Sequence, residues 1–181
     1  NTLATVQAIA TQTLRRAASP GDFVNSFNGR IKALARAHGL LTGSSFQGAQ
    51  LSDLVREQLL LGNEEDQRIS WNGAALALEA QSALHLALVL HELGANARKH
   101  GALSVASGRV SVTWQVQSNN GRSLRLIWRE TGGPSVSAPT TQGFGSTLIE
   151  NSLRAYNGDV TLSYAETGVV CEINLPLPEL H

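Results

Sequence analysis

The sequence predicts an α/β fold, a two-helix hairpin over residues 1–47 followed by a two-layer α/β sandwich over 48–181. Three observations carry this. Residues 1–41 repeat apolar side chains at helical spacing on both sides of a single turn. Residues 83–90 are apolar nearly all round, as in a helix buried on several sides. Four later segments alternate apolar and polar residues, and a sheet with one apolar face is covered by helices on one side only.

In chain order, Leu3, Val6, Ile9, Leu14 and Ala17 mark the first helix. Ser19-Pro20-Gly21-Asp22 is the turn, with Asp22 as the expected N-cap of the second. That helix carries Phe23, Phe27, Ile31, Leu34, Ala37 and Leu41. Each helix has an apolar stripe to bury, so a second copy or the neighbouring domain must cover what the hairpin leaves open. Residues 43–48 form the link. A short helix follows near 51–60, then a polar loop at 62–67 and a candidate strand at 68–71 with Asn72-Gly73 as its turn. The long helix runs over about 80–100. Strands are expected at 108–117, 123–130, 158–164 and 168–175, and a helix is expected after Ser146, running to Tyr156.

Chemistry concentrates in three places. At the end of the long helix Glu92, Asn96 and Lys99 stand four and then three residues apart, which stacks them on one face. A carboxylate, a carboxamide suited to Mg²⁺ and a cation suited to phosphate could form a nucleotide-phosphate site; a solvated polar helix face would look the same. In the strand 123–130, Glu130 is in phase with Leu124, Leu126 and Trp128 and should point inward, where an ionised carboxylate needs donors. Gly132, Gly133 and Pro134 end that strand, and an inward acid beside glycines suits an exocyclic amine such as that of adenine. A strand-end Glu turned to solvent is the alternative. Gly143-Phe144-Gly145-Ser146 opens the next helix, and a helix N-terminus offers N–H groups to an anion. A lone Gly-x-Gly is also often just a turn. The Ser/Thr/Pro-rich link between the two glycine pairs reads as a lid.

His91-Glu92-Leu-x-x-Asn96-Ala-x-Lys99, then Trp128-x-Glu130-x-Gly132-Gly133-Pro134, then Gly143-Phe144-Gly145-Ser146 resembles the HWE branch of the bacterial sensor histidine kinases, named for the N-box histidine and the Trp-x-Glu motif. The likeness covers nearly the whole chain. Departures are mild: Gly94-Ala95 stands where Ala-Thr is common, and His100 where Tyr is common. The resemblance implies the ATP-binding fold shared with gyrase, Hsp90 and MutL. It implies catalytic roles for Glu92 and Lys99, Mg²⁺ ligation by Asn96, adenine recognition by Glu130 with Gly132 and Gly133, and a lid–phosphate contact at Gly143 to Ser146. His91 can be a packing residue or a catalytic one, and Trp128 a core residue or a ligand contact. Asn1 is similar to the last residue of the family's His-Arg-x-Lys-Asn phosphoacceptor stretch, so the acceptor is expected upstream and the chain as given should not label itself. His38 is the remaining candidate on the hairpin, with no acidic or basic cluster beside it.

The expected function is therefore the core of a two-component sensor kinase, using Mg-ATP to phosphorylate a histidine for relay to a response-regulator aspartate. An upstream sensor domain, a homodimer through residues 1–47 and a cytoplasmic location for the core are expected with it. The alternatives are a serine kinase or ATPase of the same fold, which leaves residues 1–42 unaccounted for, and a scaffold with a dead nucleotide site. Zero formal net charge argues against a nucleic-acid partner. Cys171, the only cysteine, falls in phase with Val169 and Ile173 and reads as a buried strand residue rather than a nucleophile. No apolar run approaches the ~20 residues of a membrane span.

Overall fold

The computed structural model describes residues 2–43, 48–62, 65–118, 121–136, 148–149 and 152–178. Two helices open it, α1 (Thr2–Arg16) and α2 (Pro20–Gly43). Ser19, rather than Asp22, caps α2: the Asp22 N–H donates to Ser19 Oγ at 3.1 Å, and the Asp22 carboxylate accepts from the Ala18 N–H at 3.1 Å. Pro20 takes the first helical position, where its missing N–H costs nothing. The turn residues were legible and their roles were displaced by three, because Pro at N1 and an acid at N3 fit a capping box better than an acid at the cap itself.

The remainder begins with β1 (Ala49–Gln50), α3 (Leu51–Leu60), β2 (Ile69–Gly73), β3 (Ala77–Leu78) and α4 (Ala80–Lys99). A single 3₁₀ turn over Ala102–Ser104 leads to β4 (Arg109–Gln117) and β5 (Ser123–Thr131). Further along, residues 148–149 are helical, with Ser152 N–H bonded to the Leu148 carbonyl at 2.9 Å. A 3₁₀ turn at Arg154–Tyr156 follows. Then come β6 (Asp159–Ala165) and β7 (Gly168–Pro176).

Five strands form one sheet in the order β2-β4-β5-β7-β6, with β2 parallel to β4 and every other pair antiparallel; β1 and β3 make a separate two-residue ribbon. Its inner face carries Val110, Val112, Trp114, Leu124, Leu126, Trp128, Cys171, Ile173 and Leu175, all buried. The outer face is polar and includes the Arg125–Glu172 pair at 2.8 Å. The expected two-layer sandwich is present, and burial pushes the Cys171 thiol up to about 12.

Asn72 and Gly73 do not form a turn. They continue β2, paired with Thr113 and Trp114. Glycine is needed there because a Cβ at 73 would stand 2.3 Å from the Trp114 ring, whose indole N–H reaches past it to the Ala74 carbonyl at 2.8 Å.

Helix α4 lies between the sheet and the hairpin. Ala83, Leu84, Leu86, Ala87, Leu88, Val89, Leu90 and Leu93 are buried and share one apolar core with the inner sheet face, α3 and the Ala33, Leu34, Ala37 and Leu41 stripe of α2. Polar groups fasten the same contact. Gln58 of α3 is fully buried, donates to the Ala33 carbonyl at 3.0 Å and accepts from Arg36 at 3.1 Å. Leu3, Leu14 and Val24 of the hairpin stay exposed. The neighbouring domain thus covers α2, as the unbalanced apolar stripes required, and part of α1 faces solvent.

Ser19→Ala is expected to lower stability by about 1 kcal/mol, the usual worth of a helix N-cap, measured by chemical denaturation. An unchanged midpoint and slope would contradict the cap assignment.

Candidate functional site

Helix α4 delivers the acid, the amide and the cation from its last two turns, and their environments differ. Asn96 and Lys99 are exposed, as the polar-face reading requires, whereas Glu92 is 5% exposed. Glu92 meets Arg30 of α2 at two points: Arg30 Nε lies 2.9 Å from Oε1, and an Arg30 terminal nitrogen donates to Oε2 at 3.0 Å. Arg30 also donates to Thr13 Oγ1 of α1 at 3.3 Å, and Thr13 in turn donates to the Ile9 carbonyl at 2.5 Å. One guanidinium therefore ties both hairpin helices to α4. Burial raises the Glu92 carboxyl above its ordinary range, and Arg30 works against that rise. Removing one partner of such a pair typically costs ~3–5 kcal/mol, because the other charge is left buried.

His91 lies one residue earlier and faces α2. The helices approach so closely that a Cβ at Gly29 would stand 3.0 Å from His91 Nε2. Burial, reinforced by the Arg36, Arg30 and Arg98 guanidinium groups, lowers the His91 imidazole to about 4. It is neutral at physiological pH and packed against the hairpin, which favours the packing role over the catalytic one. Arg98 braces α4 from its other side, donating to the Leu59 carbonyl at the end of α3 and to the Gly94 carbonyl at 3.1 Å.

The second group is built around Glu130. Strand alternation turns it inward, 4% exposed, as the in-phase argument requires. Its Oε2 accepts from the Ala102 backbone N–H at 2.7 Å and its Oε1 from the Trp128 indole N–H at 3.2 Å. Trp128 is fully buried, so it is a core residue that also orients the acid two positions on. Burial raises the Glu130 carboxyl and these two donors hold the rise down. Ala102 can approach only because its surroundings lack side chains. A Cβ at Gly101 would lie 2.2 Å from Glu130 Oε2, one at Gly133 2.5 Å from Ala102 Cα, and one at Gly108 1.7 Å from the Ala102 carbonyl oxygen. Gly132 holds φ +67 at the strand exit, with its carbonyl accepting from Ser107 Oγ at 2.9 Å. Gly132 and Gly133 are thus required first by the protein's own backbone.

Gly143, Phe144, Gly145 and Ser146 lie outside the described residues. Sequence reasoning did not find Arg30, Gly101 or Ala102. Arg30 could have been flagged as a charge in phase with Ala33, Ala37 and Leu41, and Gly101 as the glycine that follows the helix carrying the acid. Nothing local marks Ala102, whose contribution is a backbone N–H.

The pattern of the HWE histidine kinase family matches residues 1–75. The chain is 34% identical over 180 residues to a blue-light-activated histidine kinase of Brucella anthropi, covering 98% of this chain and 37% of the relative. It is 31% identical over 184 residues to the protein of the same name in Brucella abortus, covering 99% of this chain and 38% of that one. The chain therefore spans little more than a third of the curated relatives it matches. Among solved structures, the histidine kinase domain of the Erythrobacter litoralis EL346 blue-light activated histidine kinase superposes with a TM-score of 0.63 at 16% identity, covering 96% of each chain. The catalytic domain of histidine kinase ThkA gives 0.53 at 17%, over 72% of this chain and 96% of that one. These likenesses show the fold: a helical N-terminal part followed by a mixed α/β domain of the histidine kinase catalytic type.

The lowered His91 pKa has a measurable consequence. The unfolded imidazole takes up its proton near 6.5 and the folded one only near 4, so the unfolded state binds more protons in between. The His91 contribution is fully present above pH 6.5 and is lost as pH falls towards 4, on the order of 3 kcal/mol at most. Comparing denaturation of the parent with His91→Gln across that window should show the variant's stability falling less steeply; parallel curves would contradict the assignment.

Proposed function

The chain belongs to the HWE histidine kinase family, and from that premise we propose that it is the ATP-dependent phosphotransfer core of a two-component sensor kinase. Family membership implies ATP use. In the proposed reaction the γ-phosphoryl group passes from ATP to a histidine nitrogen, leaving ADP, and then to the aspartate of a response-regulator receiver domain. The length of the relatives supports a sensor domain beyond this core.

The observation that carries the reading is the seat of Glu130. A carboxylate has about four acceptor positions, and Ala102 and Trp128 occupy two. The rest would suit an exocyclic amine. The protein fixes this acid before any ligand arrives, which is how a site discriminates without reorganising. Asn96 and Lys99 stand exposed on the adjacent helix end, ~4.5 Å apart along its axis. No group of three acidic, histidine or cysteine side chains among the described residues is placed to hold a metal. Asn96 would hold Mg²⁺ together with the nucleotide phosphates, the usual way this ion is bound when it accompanies a triphosphate. When bound, the ion would neutralise phosphate charge and orient the γ-phosphoryl group. Lys99 would contact the phosphates as a point charge. Glu92 would serve as the acid that orients or deprotonates at the transfer step, and Gly143, Phe144, Gly145 and Ser146 would bring backbone N–H groups to the phosphates.

Two measurements test these roles. Asn96→Ala should weaken Mg-ATP binding by at least tenfold and metal-free nucleotide binding far less, read by calorimetry with and without Mg²⁺; equal losses would remove the metal from Asn96. The unmutated chain should prefer ATP to GTP by at least a hundredfold, because GTP offers a carbonyl where the acid needs a donor. Glu130→Ala should lose ATP affinity while keeping the fold. Comparable affinities for the two nucleotides would count against Glu130 as the base-reading residue.

A further inference from the structure

Of the three residues stacked on the end of α4, only Glu92 is shielded, and the group that shields it belongs to the hairpin. Both Glu92 oxygens are engaged by Arg30, and both side chains are 7% exposed. Asn96 and Lys99, one and two turns further on, are open to solvent. A carboxylate held in this way has both oxygens engaged by one guanidinium and is shielded from an incoming phosphoryl group or imidazole. Arg30 is not merely a surface partner. It is one of the five buried polar or charged residues among those described, and its contact with Thr13 links it to α1.

We propose that Arg30 is a positioning residue that withholds Glu92 from the site while α2 is docked on α4, so that phosphoryl transfer requires the Arg30–Glu92 contact to open. This rests on the reading of Glu92 as the acid of the transfer step. The contact is suited to such control because it lies between two elements rather than within one. On the α2 side, Arg30 leaves a helix that is also fastened by its Ala33, Leu34, Ala37 and Leu41 stripe, by the Gln58 bonds to Ala33 and Arg36 and by the close packing of Gly29 on His91. On the α1 side, the Thr13–Ile9 bond and the Arg30–Thr13 bond connect it to the first hairpin helix, so a rotation or shift of α1 acts on the same guanidinium. An ionised Glu92 without Arg30 is poorly tolerated in the interior. Its nearest outlet is the exposed face it shares with Asn96 and Lys99, where it would meet the phosphates.

The test compares Arg30→Gln, Gln58→Ala and Glu92→Gln in a chain that carries the acceptor histidine, at pH 8 where a released carboxylate is ionised. Arg30→Gln removes the restraint directly. Gln58→Ala loosens α2 from α3 and leaves both charges in place, so it stands in if the first variant does not fold. Two readouts are taken: the rate of label transfer from γ-labelled ATP, and modification of Glu92 by a water-soluble carbodiimide, mapped by mass spectrometry. The expected result is a several-fold rise in both readouts for Arg30→Gln and Gln58→Ala, with transfer lost and nucleotide binding kept in Glu92→Gln. Unchanged or slower transfer in folded, nucleotide-binding Arg30→Gln and Gln58→Ala, with Glu92→Gln inactive, would overturn the role of Arg30 alone. Full transfer by Glu92→Gln would instead overturn the reading of Glu92 itself. A merely structural Arg30 would leave Glu92 modification as low as in the parent.

Discussion

The burial of α4 on two sides at once is the constraint on which this structure depends. Its apolar residues from Ala83 to Leu93 meet the inner face of a five-stranded sheet on one side and the helices α2 and α3 on the other. A helix gripped in this way cannot rotate without breaking both contacts, so the side chains of its last two turns are aimed by the core and not by local preference. Asn96 and Lys99 emerge where the helix leaves the core, and Glu92 emerges one turn earlier, where the hairpin still covers it. The difference between an exposed amide and a sequestered acid follows from how far along the helix the hairpin reaches.

A second constraint acts at the end of β5. Glu130 pays the desolvation penalty of a buried carboxyl and offsets it with the Trp128 indole and Ala102 amide donors. That accounts physically for a tryptophan two residues before the acid. On a strand, positions i and i+2 share a face, and the indole N–H is a donor that an apolar core can otherwise rarely supply. The glycines at 101, 108 and 133 follow from the same need, since each removes a Cβ that would strike Ala102 or the carboxylate. The segment after α4 is thereby drawn onto the strand that carries the acid. This closeness brings the end of α4 and the Glu130 carboxylate together although they are distant in the chain.

Much of this was legible in the sequence. The strand alternation around Trp114, Leu126 and Ile173, the apolar run of α4 and the inward phase of Glu130 are periodic signals, and periodicity survives without knowledge of partners. What was not legible depends on a partner far along the chain. Arg30 and Glu92 are 62 residues apart, and nothing local to either says that they meet. Gly73 looked like a turn because Asn-Gly commonly is one. It is a strand residue because a tryptophan ring from the neighbouring strand occupies the space above it. Ser19 and Asp22 were both in view, and only the bond directions assign the cap to the serine. The partners of Glu130 were foreseen as a requirement and not as identities, since one of them is a backbone amide.

Glu130, held by Trp128 and Ala102, is proposed to read an adenine base. The most direct test is an NMR titration of the ¹⁵N-labelled chain with Mg-ADP and, separately, Mg-GDP. The Trp128 indole N–H and the Ala102 amide report on the carboxylate from its two oxygens. Both resonances are expected to shift saturably with ADP, along one binding curve, and to remain in place with GDP at the same concentrations. ADP binding that saturates while these two resonances stay fixed would contradict base reading by Glu130.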